Sequence, residues 1–282
     1  MSLKNKIKHA VKHVLFSPLP LRVQLAVYLL SKYKLGKFRL RLNLDAVPYP
    51  PYAYRMFNAA IQAKALGLDT ISALEFGVAG GNGVVAMQEL AEEIQNETGV
   101  KFKIYGFDSG SGLPAPSDFR DQEYFWPKGS FPMDVGALRK RLSKSELVLG
   151  DVKETVATFF DAFTPPPIGF VSFDLDYYSS TKSAFDIFKS QQENYLPRVE
   201  CYMDDVGSFE VLSASQGTGV LKAIADFNSE SETKIYKKEG VSRFRNFKMG
   251  WNDCMYVHHN FKHSQYNTFV GTTYNMKLDL EQ

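Results

Sequence analysis

Four carboxylates fall in two short runs, Phe173-Asp174-Leu-Asp176-Tyr-Tyr-Ser-Ser-Thr181 and Tyr202-Met-Asp204-Asp205-Val206. Each run closes an apolar segment of strand length, Gly169–Phe173 and Arg198–Met203, so the acids stand at or just past a strand's carboxyl end. Neighbouring strands lie about 5 Å apart, which would set Asp174 opposite Asp204 although thirty positions separate them. Like charges that close raise one another's pKa unless a cation intervenes. Oxygen ligands with no cysteine nearby suit a hard divalent ion, magnesium before calcium or manganese, and disfavour zinc. The competing reading is a set of helix N-caps and loop hydrogen bonds.

A second constellation is Glu75-Phe-Gly77-Val-Ala-Gly80-Gly81-Asn-Gly83, which follows the short apolar run Ile71–Phe76. Glycines at a strand-to-helix turn let the backbone approach a ligand, because no Cβ intervenes and positive φ is allowed. Gly81-Asn-Gly83-Val-Val-Ala86 matches the dinucleotide fingerprint, which makes a nicotinamide-dependent oxidoreductase the rival enzyme. Position argues against it, since the first glycine of that fingerprint directly follows its strand and Gly81 comes five residues after Phe76. Glu75 also argues against it: a carboxylate at the tip repels pyrophosphate and attracts an ammonium or sulfonium group. The ligand that carries both is S-adenosylmethionine. Asp108, closing Lys103–Phe107, can accept from two ribose hydroxyls, and Asp151, after Leu147–Leu149, can stand near an adenine amino group or cap the next helix.

The elements that must position these residues alternate. Helical composition over Tyr52–Leu66 ends at Gly67, and Val84–Gln95 reads as a helix behind the glycine turn. Five strands, each with an acid at or just after its end, alternate with helical segments, and Lys234–Lys238 and Asn252–Val257 read as a closing pair. That order predicts an α/β fold, a doubly wound and mostly parallel sheet with ligands outside the carboxyl ends of the strands.

Glu75, the glycine loop, Asp108 and Asp151, in that chain order, resemble the class I S-adenosylmethionine-dependent methyltransferases with their Rossmann-like sheet. The Asp-x-Asp-x-Tyr-x-Ser-Thr run and the Asp204-Asp205 pair are similar to the macrocin O-methyltransferase branch and to the metal ligands of catechol-type O-methyltransferases. Phe107-Asp-Ser-Gly-Ser-Gly-Leu-Pro114 is similar to that branch's motif after the second strand, with Gly110 where an aromatic is more usual. The resemblance covers roughly residues 70–230. It implies cofactor contacts from Glu75, Gly77, Gly81, Gly83, Asp108 and Asp151. It also implies magnesium or another divalent ion on Asp174, Asp204 and Asp205, and a hydroxylated small-molecule acceptor, sugar or natural-product-like. The metal would bind acceptor hydroxyls and lower their pKa. Asp174, Asp176 and His258 are the candidate catalytic residues, Lys182 and His259 further candidate bases, with surface or structural roles as the alternative for both histidines. A non-catalytic relative that binds adenosyl ligands is the third reading.

Between Ser109 and Glu146 a long segment carries Phe119, Tyr124, Phe125, Trp126 and Phe131, the composition of a lid or equally of a peripheral packing cluster under an ordinary loop, with Asp134 placed to cap a helix through Leu142. Arg120 and Lys128 there, and Arg243, Arg245 and Lys248 further on, are candidate contacts to an anionic or sugar-bearing substrate.

The formal charge of +2 conceals an asymmetry: the first 45 residues hold ten Lys/Arg and one acid, the remainder 23 bases and 30 acids. A basic arm on an acidic body argues against a chain-wide nucleic-acid surface and leaves the arm as a solvated basic face or as a contact to phosphate or an anionic membrane. Ile7, Ala10, Val11, Val14 and Leu15 recur at helical spacing beside Lys4, Lys8 and Lys12, and Leu19–Leu30 is too short and interrupted to span a bilayer. Residues 1–50 therefore read as a basic helical extension, a lid or homo-oligomer element, and residues 51–282 as the methyltransferase domain. Two cysteines and no secretion signal in evidence point to a cytoplasmic chain.

Overall fold

A computed structural model of the chain describes residues 20–208 and 210–271. The basic amphipathic helix expected around Ile7–Leu15 lies outside them. Helix α1 (Leu21–Lys32) starts behind Pro20 and buries no residue. In α2 (Phe38–Asn43), by contrast, Phe38 and Leu42 are buried in the main core. Among the described residues no helix is long and apolar enough to cross a membrane.

Helix α3 (Pro50–Ala65) opens on prolines, whose fixed φ suits a first turn and whose missing N–H costs nothing there. The chain then alternates: β1 (Thr70–Phe76), α4 (Asn82–Thr98), β2 (Lys101–Asp108), α5 (Val135–Arg139), β3 (Ser145–Leu149), α6 (Val152–Phe163), β4 (Ile168–Phe173), α7 (Tyr178–Ala184), β5 (Tyr195–Met203), α8 (Gly219–Glu230), β6 (Lys234–Lys237) and β7 (Met255–His259).

The sheet order is β3-β2-β1-β4-β5-β7-β6, with β1 to β5 parallel and β7 antiparallel to both β5 and β6. Every residue of β4 is buried, as a strand covered by helices on both faces must be. One core packs α3 and α4 against the sheet, the other α6, α7 and α8. Phe76, Phe107 and Phe173 stack across the three central strands at 4.5 and 5.4 Å and fix the tips of β2, β1 and β4 side by side. The strand order runs outward from β1 to β2 and β3 on one side and from β4 to β5 on the other, so the crevice beyond the carboxyl ends of β1 and β4 is the switch point where such sheets bind ligands.

The doubly wound, mostly parallel sheet agrees with the sequence expectation, and the elements differ at their ends. The helix after Asp134 stops at Arg139 rather than Leu142. The last strand begins at Met255, because Gly250–Cys254 winds into a 3₁₀ turn first.

Candidate functional site

The tips of three strands are tied together by the backbone. Gly77 N–H donates to the Phe107 carbonyl and Asp174 N–H to the Phe76 carbonyl, both at 2.9 Å. Gly77 has φ +87°, and a Cβ there would lie 1.7 Å from the Asp174 carbonyl oxygen. At Gly83, in the first turn of α4, a Cβ would lie 1.8 Å from Glu75 Oε1. Both glycines are thus set by close approach of neighbouring chain. Gly81 precedes α4 as its N-cap.

Glu75 is buried beneath this turn. Its Oε1 accepts from Tyr52 Oη at 2.9 Å, the Val84 backbone N–H also bonds the carboxylate, and the Tyr52 hydroxyl lies 2.6 Å from Ser172 Oγ. Burial lifts the Glu75 carboxyl to about 8, and the nearby Asp108 charge adds to the rise. Its Oε2 is buried without a partner among the described residues. Glu75 therefore stands under the cavity wall rather than on it. No sequence motif marks Tyr52; an aromatic in the first turn of a helix after a proline run is its one local signal.

Asp108 does line the cavity, and its carboxylate staples the glycine turn. Oδ2 accepts the N–H groups of Val78 and Ala79 at 2.9 Å, and Oδ1 that of Gly110 at 2.6 Å. Asp151 caps α6, accepting the Lys153 N–H at 2.8 Å, and also faces the cavity.

The cavity holds about 770 Å³ and runs from Gly77 and Asp108 to the tips of β4 and β5. Ser109, Leu113, Trp126 and Phe131 of the long segment after β2 form one wall, and Asp253 and Tyr256 contribute to the other. At the far end Asp174, Asp176 and Asp205 bring one carboxylate oxygen each within 4.8 Å of the others. Asp176 has φ +58°, and this left-handed turn points its N–H at Asp205 Oδ2, 3.0 Å away. Burial first, and the other carboxylates second, hold Asp174 and Asp205 well above the usual carboxylate range and lift Asp176 to about 7.

This differs from the expected ligand set of Asp174, Asp204 and Asp205. Asp204 is exposed and accepts from Tyr202 Oη at 2.9 Å, so it lines the cavity but stands outside the trio, while Asp176 joins it. The physical reason is the left-handed residue: it folds the chain after β4 back over the β5 tip, toward the second acid of the pair rather than the first.

His258 needs a larger correction. On β7 it is fully buried, stacked on Phe188 at 3.8 Å and flanked by Phe227 and Tyr195, away from the cavity. Neither ring nitrogen has a partner among the described residues, and burial pushes its pKa down to about 3. It is a core residue and cannot reach an acceptor. His259 Nδ1 contacts Tyr266 Oη at 2.7 Å and Lys182 pairs with Glu230, so neither of these candidate bases faces the cavity. His258→Phe should keep full activity and gain about 1 kcal/mol by removing two unsatisfied buried nitrogens. Its gain in urea unfolding should widen as pH falls below about 6.5, where the unfolded histidine takes up a proton the folded one refuses.

No family model matches the sequence, and no curated protein sequence does. A solved structure shares its architecture over most of both chains, and others resemble it more loosely. CalS11, a calicheamicin methyltransferase, matches over 93% of this chain and 94% of its own at 18% identity, with a TM-score of 0.50. Its apo form, described as a TDP-rhamnose 3'-O-methyltransferase, matches 93% of this chain and 96% of its own at 18% identity and 0.43. The O-methyltransferase NovP matches 64% of this chain and 72% of its own at 13% identity and 0.48. At such identities a likeness speaks for architecture, and with the strand order above it establishes that this chain carries the Rossmann-like methyltransferase fold.

Proposed function

We propose that the chain is an S-adenosylmethionine-dependent O-methyltransferase, assisted by a divalent cation, that acts on a hydroxylated small molecule. The observation that carries the reading is the cavity itself. One end is a glycine turn stapled by Asp108, and the other, at the tips of β4 and β5, is a trio of wholly or partly buried carboxylates close enough to share one divalent ion.

The residues fit both groups. Gly77, Asp108 and Asp151 line the donor end, with Glu75, Gly81 and Gly83 behind them in the turn rather than on the wall, and the bound donor would supply an electrophilic methyl group there. Asp174, Asp176 and Asp205, oxygen ligands without sulfur or nitrogen, would hold magnesium, with Asp204 beside them. A divalent ion there would lower the pKa of an acceptor hydroxyl and orient it. The protein's own part is largely positioning. Asp108 holds the glycine turn in shape, Asp176 lines the cavity where the acceptor's proton would leave, and Trp126 and Phe131 form the wall beside it.

Calorimetric titration tests the reading. S-adenosylmethionine should bind with a dissociation constant on the order of 10 μM or tighter, about −7 kcal/mol, and NAD(P)H should not bind. Binding of the nicotinamide in place of the sulfonium would establish the rival oxidoreductase.

A further inference from the structure

The charge of the cavity wall narrows the acceptor, on the reading that the chain is a methyltransferase. Besides the four aspartates at the β4 and β5 tips, Asp108, Asp151 and Asp253 line the cavity. Among the described residues the wall holds one cation, Lys237, and its Nζ already lies 2.8 Å from Asp253 Oδ1. A sulfonium donor and one divalent ion together would cancel at most half of that formal excess.

The basic side chains that the sequence offered for an anionic substrate are spent elsewhere or lie off the wall. Arg120 forks onto Asp118 through Nε and Nη2 at 2.9 and 2.6 Å, donates from Nη1 to Tyr178 Oη at 3.0 Å, and lies 4.1 Å over the Tyr178 ring. Arg245 is buried against Asp45 and the Leu42 carbonyl, between the rings of Tyr54 and Trp251. Lys128, Arg243 and Lys248 do not line the cavity. The rest of the wall is largely apolar, with Leu113, Trp126, Phe131 and Leu221.

We infer that the acceptor is a hydroxylated molecule with an apolar face and no anionic group, and that the cavity rejects phosphorylated, sulfated or carboxylated acceptors while accepting neutral and amine-bearing ones. A phosphate or carboxylate entering this space would meet a wall whose one lysine is already paired and whose negative excess outlasts the donor and the ion, and in a concave, partly dry site that repulsion is poorly screened. An ammonium group would find the opposite field.

Two measurements test the inference. In Trp251→Phe, Trp126 is the remaining tryptophan of the two. Collisional quenching of its fluorescence should then favour caesium over iodide by about threefold or more, relative to free tryptophan amide, and the two should converge as salt rises. On the unaltered chain, methyl transfer to 4-methylcatechol and dopamine should exceed transfer to 3,4-dihydroxybenzoate by about tenfold or more in kcat/KM at low salt. Iodide quenching on a par with caesium, or preferential methylation of the benzoate, overturns the proposal. Caesium-selective quenching in a chain that does not bind S-adenosylmethionine would leave anion exclusion standing and retire the methyltransferase reading instead.

Discussion

Gly77→Ala should destabilise the chain by about 3 kcal/mol or more and abolish methyl transfer, whereas Gly80→Ala, three residues on, should cost about 1 kcal/mol or less. The two glycines share one turn and differ in surroundings. A Cβ on Gly80 meets nothing within 4 Å, while one on Gly77 would lie 1.7 Å from the Asp174 carbonyl oxygen and 2.7 Å from its carbon. That obstacle is backbone, so no rotamer change relieves it. At φ +87° an alanine also pays about 1 kcal/mol or more in local strain. Relief requires β4 to move away from β1, which breaks the bond from Asp174 N–H to the Phe76 carbonyl and displaces the first carboxylate of the trio. Urea unfolding of both variants, with methyl transfer measured beside it, checks this. Equal effects from the two substitutions would mean that the tips of β1 and β4 are not locked as described.

How far such a site can be read before folding depends on the range of the forces that form it. The acid at each strand end and the glycine turn are local signals, and Asp108, Asp151 and the β4 and β5 tips do line one crevice. What stayed hidden was decided by backbone direction and distant pairing. Asp176 enters the trio because it adopts a left-handed conformation that an aspartate tolerates but does not announce. Asp204 has no such conformation; it is exposed and accepts from the Tyr202 hydroxyl two residues back. His258 looked like a base at a strand end. Its placement follows from β7 sliding between β5 and β6, a pairing across more than fifty residues that leaves both faces of the strand covered. A signal was present in the apolar Met255-Tyr-Val257 run beside it, since a strand buried on both faces buries its histidine too. Tyr52 is a similar case, reaching Glu75 from a helix whose register against β1 no local pattern specifies.

The trio's contribution to the stability of the metal-free protein should fall as pH rises from about 4 to about 8, against the opposing rise from His258 below about 6.5, and a divalent ion should restore it mainly at the alkaline end. Asp176 has a folded pKa of about 7 against an ordinary value near 3.9, and burial with neighbouring carboxylates raises Asp174 and Asp205 in the same direction. Between the unfolded and folded values the folded chain holds more protons than the unfolded one, so stability falls with pH across that window. At ~1.4 kcal/mol per unit, Asp176 alone accounts for on the order of 4 kcal/mol. An ion at ~100 times its dissociation constant returns about 2.7 kcal/mol, a rise in Tm of several degrees at pH near 8. Near pH 5 the protons already on the trio compete with it, and the rise should largely vanish. Asp176→Asn separates charge from packing. In chelator at pH near 8 it should be more stable than the parent, because one repelling carboxylate is gone, yet it should gain nothing from magnesium and lose about 100-fold or more in methyl transfer. Differential scanning calorimetry of both chains, with magnesium and with chelator at the two pH values, reads all of these at once. A parent whose Tm ignores magnesium near pH 8 would mean that the trio is held by its own shared protons and is no metal site.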